Sequence, residues 1–380
     1  MAPLWRGVIA SLWAAVAPSW VIASCGATTG NRDCEALEGA TSSNQTLIAA
    51  WEQRVQRTLG IRRHDDGSFQ WTGEYRHNPI AQEDASTLTP EAFVVQYEAT
   101  STPVLISGIV RGDAWRAETG WGLEALAAAY PDDKFWVGGG RGRKLVREFA
   151  DYMKRQSLTH DEVDPLDLFD GDFPVDMLDD YMVPKYFPTN PDQEPTHSWS
   201  ASAAGHVRGL DLFSFLGEDE RPPYRWFVAG APRSGTEMHV DPLGTSAWNT
   251  VVSGHKLWAL IAPGTGATEK DAKARYLVNK SKGESFDDGA NGYFLNLWPR
   301  LKRANPSWAP HLIEFIQAPG DTVFVPNGWL HAVCAIDAVD NLRTLMQCAF
   351  AVGAESGHNC GHYAKLRERV ELRGSVAGGA

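Results

Sequence analysis

The chain has 380 residues, of which 43% are hydrophobic and 22% charged, which excludes a disordered chain and leaves enough apolar material for a sizeable core. Its formal net charge is −12 and no long basic run interrupts that balance, so general nucleic-acid binding is not expected. An acidic balance suits a protein or peptide partner bearing Lys or Arg, although for most acidic proteins it serves solubility alone, and that plainer reading comes first.

Residues 1–6 carry one positive charge, residues 7–24 are apolar and uncharged, and small residues follow at Ala23, Ser24, Cys25, Gly26 and Ala27. A basic start, an apolar middle and small residues at a cleavable end make a secretory signal layout, so residues 1–30 are read as a signal peptide or signal anchor. A buried apolar helix is the competing reading. The signal implies a secretory route, in the ER or Golgi lumen or outside the cell, with no membrane span beyond that anchor. Sequons at Asn44 and Asn279 fit the same route. With Cys25 set aside, Cys34, Cys334, Cys348 and Cys360 remain, and no Cys-x-x-Cys pair points to zinc. Disulfides and buried thiols both stay open.

Residues 31–88 read as a polar extension with a helix at 46–59 followed by a loop-like run. Thr89-Pro90-Glu91 is a helix start, with Thr89 as the cap and Pro90 at the first helical position, and it sets Phe93, Val94 and Tyr97 on one face. A strand is expected at 103–110, helices at 123–130 and 145–152, and a short strand at 134–137 between them. From Arg225 the texture changes to short apolar segments punctuated by Gly and Pro, at 225–229, 246–252, 257–261, 313–317, 322–325, 331–336 and 342–351. Such a run predicts a mainly β protein with flanking helices, a sandwich or barrel. The polar stretch 265–291 reads as an insertion between strands. A charged helix at 363–372 closes the chain. The expected division is a lead-in over 89–221, a strand-rich core over 222–355, and a tail over 356–380.

His239-Val240-Asp241 stands where the strand-rich part begins. On extended backbone, residues two apart point to one face, so His239 and Asp241 can reach a common ion while Val240 turns into packing. His331, 90 residues after Asp241, is the candidate third ligand from another strand. Two imidazoles and one carboxylate leave three positions open for a cosubstrate and dioxygen, the coordination of non-haem Fe(II) oxygenases. A lone His-x-Asp is weak, and Asp241 before Pro242 would otherwise read as a turn.

The surroundings carry the specificity. The segment RWFVAGAPRSGTEMHVDPLGTSAWN (225–249), then SGHKLW (253–258), closely resembles the Jumonji-C (JmjC) family, nearest to its bifunctional arginine demethylase and lysyl-hydroxylase branch. TVFVP (322–326) with Gly328, Trp329 and His331 is similar to the family's second-histidine motif, and YMVPKYF (181–187) and PPYRW (222–226) match too. The resemblance runs from about residue 89 to 351. It implies a double-stranded β-helix core of the cupin or jelly-roll type, and Fe(II) held by His239, Asp241 and His331 as the catalytic centre. It also implies 2-oxoglutarate as cosubstrate beside dioxygen, bound through Lys256, Asn249, Thr236 and Gln347. Lys256 opens an otherwise apolar strand, where its ammonium can be partly buried against a carboxylate.

Three positions depart from the family pattern. Gln347 stands where a pocket threonine is usual, Leu330 where an aromatic precedes the histidine, and Asp167 where a tyrosine follows a Pro-Leu pair. An ionised Asp167 donates no hydrogen bond and would repel a carboxylate. Trp248, Trp258, Phe324 and Trp329 are candidates for an apolar wall, each also readable as ordinary core.

The resemblance implies a protein oxygenase that hydroxylates lysyl side chains, with N-methyl-arginine or lysine demethylation as the alternative. Acidic residues between 161 and 180 would attract a cationic substrate if they lie at the mouth, or else form a solvated loop. A non-catalytic Jumonji-like binding module and a cupin-type metalloenzyme without 2-oxoglutarate are the readings from other classes. The family branch itself implies a nuclear or cytoplasmic site as the alternative to the secretory one.

Overall fold

A computed structural model of the chain describes residues 36–72, 78–110, 115–138, 142–159, 162, 164–187, 224–273, 289–337 and 339–346. The apolar stretch 7–24, Asn279, Gln347, the helix expected at 363–372 and every cysteine except Cys334 lie outside the described residues. Among those described, no helix is long and apolar enough to cross a membrane. Cys334 is a buried free thiol, and burial pushes its pKa up to about 12, which keeps it protonated and inert.

The chain enters through a helix at Ala36–Leu59, which starts earlier than the 46–59 read from the pattern. The loop-like run after it is a hairpin of β1 (Ile61–Arg63) and β2 (Phe69–Trp71). β3 (Ala81–Asp84) pairs in parallel with β4 (Val104–Ser107). Between them Thr89 caps the helix Pro90–Phe93, its hydroxyl accepting the Ala92 N–H at 3.1 Å, and Phe93 and Tyr97 are buried as expected. Next come a helix at Leu123–Ala129, a hairpin of β5 (Lys134–Val137) and β6 (Gly142–Leu145), a helix at Val146–Thr159, and β7 (Asp167–Asp170). β6 takes the start of the helix expected at 145–152, and that helix then runs on to Thr159.

The remaining strands are β8 (Arg225–Gly230), β9 (Gly235–His239), β10 (Ser246–Ser253), β11 (Lys256–Ile261), β12 (Leu312–Gln317), β13 (Thr322–Val325), β14 (Leu330–Ala335) and β15 (Val339–Met346). They close two sheets, in the orders β3-β4-β13-β10-β15-β8-β7-β5-β6 and β12-β11-β14-β9. Alternation along each strand sorts the side chains. Leu168, Phe227, Ala229, Trp248 and Phe324 leave the outer face of the large sheet and pack on the lead-in helices. Leu257, Ala259, Ile261, Leu330 and Ala332 leave the outer face of the small one. Trp258, Leu260, Phe315 and Val333 meet Val323 and Val325 between the sheets. This is the double-stranded β-helix, with a cavity between two facing sheets.

The stretch between β11 and β12 does more than a polar insertion would. Helices at Glu269–Lys273 and Gly289–Gly292, a π-turn at Tyr293–Leu297 and a helix at Trp298–Ala304 follow one another. Tyr293, Phe294, Trp298 and Leu301 are buried against the small sheet's outer face.

Candidate metal centre and cosubstrate pocket

His239 ends β9, and β14 brings His331 directly opposite it across the antiparallel pair, with the two ring centroids 4.2 Å apart. Asp241 lies two residues past His239 in extended backbone and immediately precedes the short 3-10 turn Pro242–Gly244. The turn reading and the same-face reading of His-x-Asp therefore both hold. All three residues are buried, and one donor atom from each lies within 4.8 Å of the others. His239 Nε2 is 3.6 Å from Asp241 Oδ1 and His331 Nε2 is 3.7 Å from Asp241 Oδ2, too long for a direct hydrogen bond but close enough to share one cation.

The backbone fixes which ring nitrogen faces the carboxylate. His239 Nδ1 is 2.8 Å from the Glu237 carbonyl and His331 Nδ1 is 3.1 Å from the Trp329 carbonyl. A carbonyl oxygen only accepts, so each Nδ1 carries the proton and each Nε2 turns its lone pair toward Asp241. That tautomer is the one a metal-binding imidazole needs, with its outer N–H held by a second group. The donor set therefore fits a divalent cation with vacant positions.

A small cleft lies between the sheets and approaches this cluster through Trp258, whose ring centroid is 6.1 Å from that of His331. The small sheet contributes Thr236, Lys256, Trp258, Val333 and Ala335, and the large sheet contributes Asp167, Phe169, Val228, Gly230 and Asn249. Lys256, Asn249 and Thr236, which the family resemblance singles out, therefore share one cleft. Gln347 lies outside the described residues. Lys256 is only 8% exposed and Asn249 3%, so their polar ends sit in a poorly hydrated space.

Thr236 reaches the cleft through an irregularity. Between His331 and Val333 the β14 register advances two residues, while β9 moves three, from His239 to Thr236. The extra residue is a β-bulge, which re-aims a side chain that strict alternation would turn away. Gly235 follows at φ 150°, and a Cβ there would stand 2.1 Å from the Val333 carbonyl oxygen. No single-strand pattern signals this bulge, because it exists only in the pairing of two strands.

Of the four aromatic wall candidates, only Trp258 lines the cleft. It stacks on Phe315, approaches His331 at 6.1 Å between centroids, and donates its indole N–H to Gln317 Oε1. Trp248 and Phe324 pack with Phe187 on the outer side of the large sheet, and the Trp329 indole N–H goes to the Ser101 carbonyl.

Part of the acidic stretch is spent on structure. Glu162 accepts from Tyr152 and pairs with Arg155, and Asp170 caps the Trp136 and Asp172 amides beside Arg143. Asp180 accepts from the Trp121 indole and pairs with Arg116. Asp172, Asp176 and Asp179 are exposed, and Asp167 lines the cleft.

Residues 226–342 match the family model described as JmjC domain, hydroxylase. Those residues form a JmjC domain. The chain is 35% identical over 268 residues to the Bifunctional arginine demethylase and lysyl-hydroxylase psr-1 of Caenorhabditis elegans, covering 67% of this chain and 58% of that protein. It is 33% identical to the Lysine-specific demethylase JMJ21 of Arabidopsis thaliana, over 65% of this chain and 23% of that protein. A shorter match, 30% identical over 30% of this chain and 24% of the other, reaches the human 2-oxoglutarate and iron-dependent oxygenase JMJD4. The JmjC chain thus spans 58% of the nematode relative's length and a quarter or less of the other two.

Proposed function

We propose that this JmjC protein is an Fe(II)- and 2-oxoglutarate-dependent oxygenase that hydroxylates lysyl side chains of a protein substrate. The single observation that carries this is the burial of two imidazoles and one carboxylate around a common point, at the side of a cleft whose polar lining includes Lys256. His239, Asp241 and His331 would hold the metal. Lys256 would hold the distal carboxylate of 2-oxoglutarate, with the Asn249 amide and Thr236 hydroxyl beside it.

When bound together, iron and 2-oxoglutarate supply the oxidising power, dioxygen being split between succinate and a substrate C–H bond as carbon dioxide leaves. The chain's own contribution is placement. The two Nδ1–H bonds to backbone carbonyls lock the imidazoles, so the Nε2 lone pairs need no reorganisation to meet a cation. Trp258, Val228 and Val333 give the cleft apolar walls.

Demethylation of N-methyl-arginine or lysine is the second reading, favoured by the names of the relatives. It uses the same hydroxylation, after which the hydroxymethyl amine falls apart. The test is incubation of the purified chain with Fe(II), 2-oxoglutarate and basic peptides bearing free or methylated Lys and Arg. Succinate release with gain of one oxygen atom on a lysyl peptide is expected. Loss of a methyl group would instead make it a demethylase. No succinate with any peptide would favour a binding module, and turnover that survives Lys256→Ala would point to metal chemistry without 2-oxoglutarate.

A further inference from the structure

The cleft pairs the lysine of one sheet with an acid of the other. Asp167 begins β7, whose register with β8 sets it against Gly230, and Asp167 and Phe169, two residues apart, turn to the same cavity as Lys256. Leu168, between them, points the other way into the lead-in core. The backbone of Asp167 is held in the sheet on both sides: the Gly138 N–H bonds its carbonyl at 2.7 Å, and the ladder to Gly230 runs on the other side. The side chain can therefore be changed without removing those bonds.

We propose that Asp167 is a counter-charge built into the cosubstrate pocket, so that a dicarboxylate must share Lys256 with a resident carboxylate. The inference rests on the oxygenase reading and deepens it. A pocket holding an ammonium with neutral donors is net positive and draws a distal carboxylate. With Asp167 added, the ionisable lining becomes one positive and one negative group among Phe169, Val228, Trp258 and Val333. Charges between apolar walls are screened less than at a surface, so the incoming carboxylate meets repulsion that a hydroxyl in place of Asp167 would turn into a hydrogen bond. An α-keto acid ending in a neutral amide escapes this, because its N–H can donate to Asp167 while its carbonyl accepts from Lys256. Two consequences follow: weak 2-oxoglutarate binding, and weak discrimination against the amide analogue.

The test is direct binding, by calorimetry on full-length protein loaded with Mn(II), of 2-oxoglutarate and of its distal amide, 2-oxoglutaramate. Asp167→Asn should bind 2-oxoglutarate about tenfold or more tighter than wild type while gaining little for the amide, and Asp167→Glu should stay close to wild type. Asp167→Ser serves as a second neutral variant should the asparagine one fold poorly. A merely structural role would move both ligands together. Wild-type binding of 2-oxoglutarate that the neutral variants leave unchanged or weaken would overturn the proposal alone. Absence of 2-oxoglutarate binding in wild type and every variant would overturn the oxygenase reading, and this inference with it.

Discussion

His239 and Thr236 are three residues apart on β9, one in the metal cluster and the other lining the cleft, and the bulge lies between them. Gly235 is the residue that permits it. At φ 150° and with the Val333 carbonyl 2.1 Å from where a Cβ would stand, any side chain forces β9 away from β14. Gly235→Ala should therefore cost about 2–4 kcal/mol of stability. It should also weaken divalent-metal binding, because His239 leaves its place opposite His331. Thermal melting and metal titration read the two effects, and an alanine variant that melts and binds like wild type would remove the bulge from this account.

At the scale of elements, the small sheet is held from outside by a polar clamp as well as by apolar packing. Glu314 on β12 is 3% exposed and accepts from the Trp298 indole at 2.6 Å and from Lys302 Nζ at 2.9 and 3.1 Å. Glu314→Ala removes the acceptor of a buried indole N–H and the carboxylate that Lys302 pairs with, at a cost of about 2–3 kcal/mol. Glu314→Gln, which can still accept from the indole, should lose less, and denaturant midpoints of the two variants check the order. The central strands of this sheet are visible in the sequence because burial on both faces leaves short, nearly continuous apolar runs, as in Lys256–Ile261 and Leu330–Ala335. In the large sheet, Thr322–Val325 and Lys134–Val137 fall where the pattern puts them. The helices pressed onto the small sheet are not visible, since Tyr293, Phe294 and Trp298 follow a polar run and their burial depends on a surface made elsewhere in the chain. β3 and β7, reading AQED and DLFD, are poor strand sequences that acquire their form from neighbours already in the sheet. The metal cluster is legible because three side chains with one chemistry leave a motif. The cleft is less so, since Thr236 depends on a bulge and Asp167 on a strand that local propensity does not announce.

Over the whole molecule, the three candidate metal ligands come from the small sheet and the turn that leaves it, while the cleft draws on both sheets. Metal and cosubstrate should therefore stabilise the protein in different ways. A cation bound by the native cluster adds RT ln(1 + [L]/Kd), about 2.7 kcal/mol at a hundred times Kd, and tightens β9 against β14. A dicarboxylate reaching from that cation to Lys256 and Asn249 ties the small sheet to the large one, so its increment requires the metal to be present first. Melting temperature should thus rise in two steps, with Mn(II) and then with 2-oxoglutarate, whereas 2-oxoglutarate alone should move it little. His239→Ala should flatten both steps, and Lys256→Ala should keep the first and lose the second. A second step that persists in Lys256→Ala would mean that the cosubstrate is anchored elsewhere than in the cleft between the sheets.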